Sequence, residues 1–147
     1  KYYNVRLGLN GRFDSIQAAV IISKLEIFKD ELDKRNEAAR KYTDALKENF
    51  ITPYIPQGYT SAWAQYSLLA ENEAHRTSLR EKLQAREIPT AVYYPIPLHL
   101  QTAYKYLGYK KGDMPVSEDA SERIFSIPMH PYLEDNDIQL ICDVLKS

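Results

Sequence analysis

The sequence predicts an α/β fold of the α+β kind, a small antiparallel or mixed sheet covered by helices and led by a long N-terminal helix. Three observations carry this. Apolar residues recur at helical spacing from Asp14 to about Phe50; two strand-like runs flank a helical segment between residues 61 and 94; and an amphipathic segment closes the chain at Asp135 to Lys146. The 147 residues, 44% hydrophobic and 27% charged, suit one soluble globular domain with a real core.

The leading helix starts at Asp14, an N-cap whose back-reaching partner three residues on is Gln17. Ile21, Leu25, Phe28, Leu32, Ala39 and Leu46 form its apolar stripe, widened in the first half by Ile16, Ala19, Val20 and Ile27. Glu31 with Arg35 and Glu37 with Lys41 suit a solvated face in the second half, with a bend between the halves. At roughly 35 residues the helix exceeds the usual globular length, so it is expected to bridge two bodies or to pack on a second subunit. The alternative is a two-helix hairpin broken near Lys34–Asn36.

Pro53 to Gly58 ends the helix and turns the chain. Ser61 to Ala70 reads as a strand, and Glu73 to Glu87 as a helix with Leu79 and Leu83 inward and His75, Arg76, Arg80 and Arg86 outward. Ile88 to Tyr94 reads as a second strand, stopped by Pro95 and Pro97. A short helical segment follows to Tyr106 and stops at Leu107-Gly108-Tyr109. Ser117 then caps a helix to about Phe125, with Glu118 and Asp119 in its first turn. Ser126 to His130 is short and extended, and Ile138, Ile141 and Leu145 are the inner stripe of the closing helix. These elements divide as a loop plus long bridging helix over 1–50 and a small α/β portion over 51–147, within one domain spanning 1–147.

Nineteen basic and twenty acidic residues give a net charge of −1, which leaves no electrostatic footprint for nucleic acid or an anionic membrane. No apolar run reaches a membrane span, and the opening Lys1 to Arg6 lacks the apolar region of a signal peptide, so a cytoplasmic protein is expected. That opening also lacks an initiator Met and reads as part of a longer chain. The single cysteine, Cys142, sits in the apolar pattern of the last helix and reads as a buried structural thiol. Three histidines and that cysteine give no metal-ligand spacing, so no metal is expected, and no glycine-rich phosphate cradle or nucleophile elbow is present.

Two clusters carry chemistry. In Asn10-Gly11-Arg12, just before the helix start, the helix dipole and the Arg12 fork favour an anion, while the plainer reading is a cap beside a solvated arginine. In Tyr93-Tyr94-Pro95-Ile96-Pro97-Leu98-His99, phenols and an imidazole leave a strand end on a stiff turn, where α/β proteins place ligands. Those tyrosines offer hydroxyls and ring faces to a sugar or base, or else pack half-buried; His99 serves equally as a structural hydrogen-bonding residue.

Gly8-Leu9-Asn10-Gly11-Arg12-Phe13-Asp14-Ser15-Ile16-Gln17-Ala18-Ala19, Tyr94-Pro95-Ile96-Pro97-Leu98-His99-Leu100-Gln101 and Ser126-Ile127-Pro128-Met129-His130-Pro131, in that order, resemble the carboxy-terminal part of the DegT/DnrJ/EryC1/StrS sugar aminotransferases. The resemblance covers essentially the whole chain. It implies the small C-terminal domain of an aspartate-aminotransferase-type fold, from a homodimeric enzyme that uses pyridoxal 5′-phosphate. Such enzymes move an amino group, usually from glutamate, onto a nucleotide-linked keto sugar; the Tyr93–Gln101 block looks nearest to those that aminate a 3-keto sugar for surface polysaccharide or lipopolysaccharide. It further implies that Asn10 reaches the cofactor phosphate of the partner subunit, that Arg12 faces the substrate, and that Tyr93 and Tyr94 line the sugar pocket. Close relatives can carry His at the position of Tyr93.

Transamination also needs a lysine that bonds the cofactor and an acid at its ring nitrogen, which this family carries upstream of the Asn10 motif. Lys24, Lys29, Lys41 and Lys82 fall in helical patterns rather than at a buried strand end, and a solvated lysine is a poor nucleophile, so no catalytic residue is assigned here and the chain alone is expected to be inactive. It is expected to expose an apolar strip on the long helix. A non-catalytic α/β binding or dimerisation module is the competing reading.

Overall fold

The computed structural model describes residues 2–147; Lys1, the first residue of the expected 1–50 segment, lies outside the described residues. Asp14 caps helix α1 (Ser15–Leu25) through the reciprocal box that the spacing predicts. Its Oδ1 accepts from the Gln17 backbone at 2.9 Å, and the Gln17 side chain accepts from Asp14 N–H at 3.2 Å. The long helix is nevertheless two. At Glu26 and Ile27 the backbone tightens to bonds onto Ser23 and Lys24, three residues back, and α2 (Phe28–Leu46) begins there rather than beyond Asn36. Packing explains the difference: α2 is held by buried Ala38, Ala39, Tyr42 and Leu46, whereas α1 buries no residue and nothing holds the two collinear.

Strand β1 (Tyr66–Leu69) is antiparallel to β2 (Ile124–Ile127), with Tyr66 opposite Ile127 and Leu68 opposite Phe125. Those four side chains are buried on one face, as the period of two requires. β1 is shorter than the expected 61–70 strand, because Trp63 adopts a left-handed φ of 47° and its ring donates to Asn36 Oδ1 on α2 at 2.9 Å. The expected strand over 88–94 shrinks to one residue: Ala91 exchanges both backbone bonds with Ser126, and Pro89, without an N–H, cannot extend the ladder. The Tyr93–Tyr94 peptide is cis.

Helix α3 (Glu73–Ala85) buries Leu79 and Leu83 as expected, but Arg76 is buried with them rather than turned outward. After the prolines, two 3-10 stretches, Leu98–Leu100 and Thr102–Leu107, replace the single short helix and end at Gly108 in the left-handed region, φ 80°. Helix α4 (Pro115–Arg123) starts at Pro115, so Ser117 lies inside the helix instead of capping it. It stops two residues earlier than expected because Ile124 and Phe125 enter β2. Glu118 lies in the first turn of α4 as expected, and its side chain is buried.

Helix α5 (Asp135–Lys146) buries Ile138, Ile141 and Leu145, and Cys142 beside them. It packs on α2 and α3, and the Lys41–Asp135 ion pair at 2.6 Å ties its start to α2. Tyr42 donates to Pro128 O at 3.1 Å. Thr43 gives its hydroxyl proton to Ala39 O, so the 2.7 Å contact with Tyr66 is a donation from the tyrosine. Tyr42, Leu46, Tyr66, Leu68, Leu83, Phe125 and Cys142 are the fully buried centre. The Glu37–Lys41 pair forms at 3.5 Å, while Glu31 accepts from Tyr132 OH at 2.8 Å.

Residues 5–28 contrast sharply with that centre. Leu9 is 99% exposed, Ile16 79%, Ile22 66% and Leu25 59%, so the leading loop and α1 carry the apolar strip expected of the long helix.

Candidate functional site

A cleft of about 650 Å³ opens where the chain leaves the Ala91 bridge and crosses the two prolines. Tyr93, Tyr94, Pro97 and His99 come to it from that turn, Tyr2 from the leading segment, and Ser121 from α4. Proline at 95 and 97 fixes φ on a path with few backbone donors, which makes the wall stiff. Tyr2, Tyr93 and Tyr94 meet edge to face, with ring centroids 5.8 Å apart for Tyr2–Tyr93, 5.4 Å for Tyr2–Tyr94 and 5.7 Å for Tyr93–Tyr94. Such contacts hold the rings in fixed relative orientation. Phenols on an apolar wall offer a ligand both ring surface and hydroxyls.

Gln101 and Glu118 hold this cleft together. The Gln101 carboxamide, nearly fully buried, accepts from Asn4 N–H at 2.8 Å and donates to Tyr2 O at 2.9 Å and Ile96 O at 3.1 Å. Ala103 N–H completes the link by donating to Asn4 O at 2.9 Å. On the other side both Glu118 oxygens accept from Gly112 N–H at 2.9 Å; Oε1 also takes Met114 N–H at 3.3 Å and His99 Nε2 at 2.9 Å. The Gly112 donation, with the His99 contact, holds the Glu118 carboxyl below the usual carboxylate range. An ionised carboxylate only accepts, so Nε2 of His99 carries a proton toward it. Sequence reasoning assigned neither residue a role. Gln101 appeared only as the end of a motif, and Glu118 only as an acidic residue in the first turn of a helix.

Asn10 and Arg12 do not line the cleft; they stand on the exposed loop before α1. Asn10 Oδ1 accepts from Arg12 N–H at 3.3 Å, and Arg12 adopts a left-handed φ of 63°, which bends the loop at that point. The Asn10 amide nitrogen and the Arg12 guanidinium make no hydrogen bond among the described residues. Their donor chemistry at a helix start fits a phosphate or carboxylate. The structure therefore brings Tyr93 and Tyr94 together, adds Tyr2 to them, and keeps Asn10 and Arg12 apart from that wall. Among the described residues no group of side chains could hold a metal ion, and no helix is long and apolar enough to cross a membrane.

Residues 1–146 match the model of the DegT/DnrJ/EryC1/StrS aminotransferase family. A UDP-2-acetamido-2-deoxy-3-oxo-D-glucuronate aminotransferase of Pseudomonas aeruginosa is 40% identical, over 100% of this chain and 40% of its own length. The crystal structure of a DegT DnrJ EryC1 StrS aminotransferase from Brucella abortus superposes with a TM-score of 0.83 at 49% identity, over 99% of this chain and 38% of that one. S. venezuelae DesV, solved in complex with a ketimine intermediate, superposes with a TM-score of 0.84 at 28% identity, over 95% of this chain and 37% of that one. The chain thus spans about two fifths of the length of the proteins it matches.

Proposed function

The chain belongs to the DegT/DnrJ/EryC1/StrS aminotransferase family, and from that membership we propose that it is the carboxy-terminal portion of a cytoplasmic, homodimeric aminotransferase that uses pyridoxal 5′-phosphate. The enzyme transfers an amino group from glutamate to a nucleotide-linked keto sugar for surface polysaccharide or lipopolysaccharide. The whole chain is the small-domain side of that enzyme, with 1–50 as loop and bridging helix and 51–147 as the α/β portion. The cofactor, bound elsewhere in the enzyme, supplies an electron sink that lets the amino group leave one carbon and join another.

This chain's residues bind and orient. Asn10 donates its amide to the cofactor phosphate across the dimer, the Arg12 guanidinium holds an anionic group of the substrate, and Tyr93 and Tyr94 pack on the sugar and offer it hydroxyls. The observation that carries this reading is the cleft built around Tyr93 and Tyr94 at the end of the Ala91 bridge. The exposed apolar residues of α1 are of the kind that pack against further protein. Without the lysine and acid of the rest of the enzyme, this chain alone does not transaminate.

The test is amino transfer by the full natural protein, read as 2-oxoglutarate released from glutamate in the presence of a UDP-linked 3-keto sugar. Release that depends on the sugar, with KM for the sugar raised about 10-fold by Tyr94→Ala and by Arg12→Ala, supports the assignments; one lost contact of about 1.4 kcal/mol gives that factor. No release with any nucleotide-linked keto sugar overturns the activity. Unchanged cofactor affinity in Asn10→Ala removes that residue from the site.

A further inference from the structure

Gln101 spends both amide hydrogens and its carbonyl oxygen on backbone that it does not neighbour in sequence. Its carboxamide lies against the leading segment as a peptide group would in a sheet, taking Asn4 N–H and giving to Tyr2 O, while the second amide hydrogen reaches Ile96 O on the proline turn. A buried amide satisfied in this way is costly to replace and fixes whatever it bonds. What it fixes is the carbonyl of Tyr2, whose ring meets both Tyr93 and Tyr94. Beyond Asn4 the chain turns to solvent, with Val5, Leu7 and Leu9 exposed.

We propose that Gln101 is a positioning residue that seats Tyr2 as the third aromatic wall of the cleft, and that Tyr2 is a further contact for the ligand held by Tyr93 and Tyr94. The inference rests on the reading of that cleft as the sugar site. The glutamine acts at one remove, on the leading segment; the tyrosine touches the ligand. A third ring against Tyr93 and Tyr94 narrows the cleft and so bears on which ring substituents are accepted.

Two readouts on the full natural protein separate the clamp from the ligand. The first is amide hydrogen exchange without ligand: in Gln101→Leu the amides of Asn4 and Ala103 exchange at least about 10-fold faster, while the amides of the β1–β2 ladder do not change. The second is affinity for UDP-N-acetylglucosamine as probe. Gln101→Leu and Tyr2→Ala each weaken it about 10-fold, and the double variant is no weaker than either, because both remove the same wall. A glutamine serving the fold alone would speed exchange without this coupling.

Additive losses, unchanged probe affinity in Gln101→Leu, or unaltered exchange at Asn4 each overturn the proposal. Should Gln101→Leu fail to fold, Asn4→Pro deletes the donated hydrogen at an exposed residue and must reproduce the loss of affinity. A natural protein whose Tyr93→Ala variant binds the probe unchanged overturns the sugar reading of the cleft, and exchange at Asn4 then decides the clamp on its own.

Discussion

His99 Nε2 donates to Glu118 Oε1 across 2.9 Å between two buried side chains, one from the Leu98–Leu100 stretch after the proline turn and one from the first turn of α4. The same carboxylate holds Gly112 and Met114 through their backbone N–H groups, so one charge binds the turn, the preceding loop and the helix start. Its position near the α4 N-terminus adds the favourable end of the helix dipole.

Glu118 therefore links stability to pH. Its folded pKa lies below the ordinary value of about 4.3 that it has in the unfolded chain, so its contribution is complete above that pH and is lost as pH falls through the folded value. Glu118→Gln keeps an acceptor but not the charge. It is expected to melt several degrees lower at pH 7, with the gap closing as pH falls below the usual carboxylate range. Thermal melts of both proteins between pH 3 and 7 check this; a gap that stays constant with pH contradicts it.

Leu68 and Ile16 should divide sharply in their effect on stability. Leu68 is fully buried in β1 against Phe125, whereas Ile16 on α1 is 79% exposed. Leu68→Ala loses transfer energy and leaves a cavity, for a cost of about 2–5 kcal/mol. Ile16→Ala changes the stability of this chain by no more than about 0.5 kcal/mol. Urea titration of the chain decides both. A large loss at Ile16 would mean that α1 already has a partner in solution.

Cys142 is expected to be inert. Burial in α5 pushes its thiol up to about 11, so at pH 8 both the thiolate fraction and the access that attack requires are missing. An aromatic disulfide reagent at pH 8 should leave the folded chain unlabelled over an hour and titrate one thiol in denaturing urea. Fast labelling of the folded chain would show that α5 opens readily from α2 and α3.

The helices were legible wherever burial follows the apolar period, and the closing stripe of Ile138, Ile141 and Leu145 is the clearest case. The Asp14–Gln17 box was equally readable, because its bonds are local. What depends on contact between distant residues was not. The break at Glu26 carries no proline or glycine and arises because α1 has nothing to pack on; the 88–94 strand kept its residue types but met β2 at Ala91 alone. In the cleft, Tyr93 and Tyr94 were legible from the proline stop. Tyr2, joined to them through a glutamine 99 residues on, was not.

Arg76 shows the same division within one residue and gives a last expectation. It sits three residues before Leu79 and seven before Leu83, on the inward face of α3, yet the sequence reading turned it outward with the other charged residues of that helix. The structure buries the guanidinium with partners: Nη1 donates to Ser121 O on α4 at 2.7 Å and Nη2 to Glu73 Oε1 at 3.1 Å, while Nε is buried with no partner among the described residues. Arg76→Ala deletes both bonds and the packed stem, strands the Ser121 carbonyl, and is expected to cost about 1–3 kcal/mol. Arg76→Met keeps the stem and relieves the orphaned Nε, so it should cost less than alanine; Arg76→Lys, a point charge without the planar fork, cannot serve both acceptors and should not restore the wild-type value. Urea unfolding of the three variants ranks them. A methionine variant less stable than the alanine one would show that the guanidinium bonds, not the packing of the stem, hold α3 to α4.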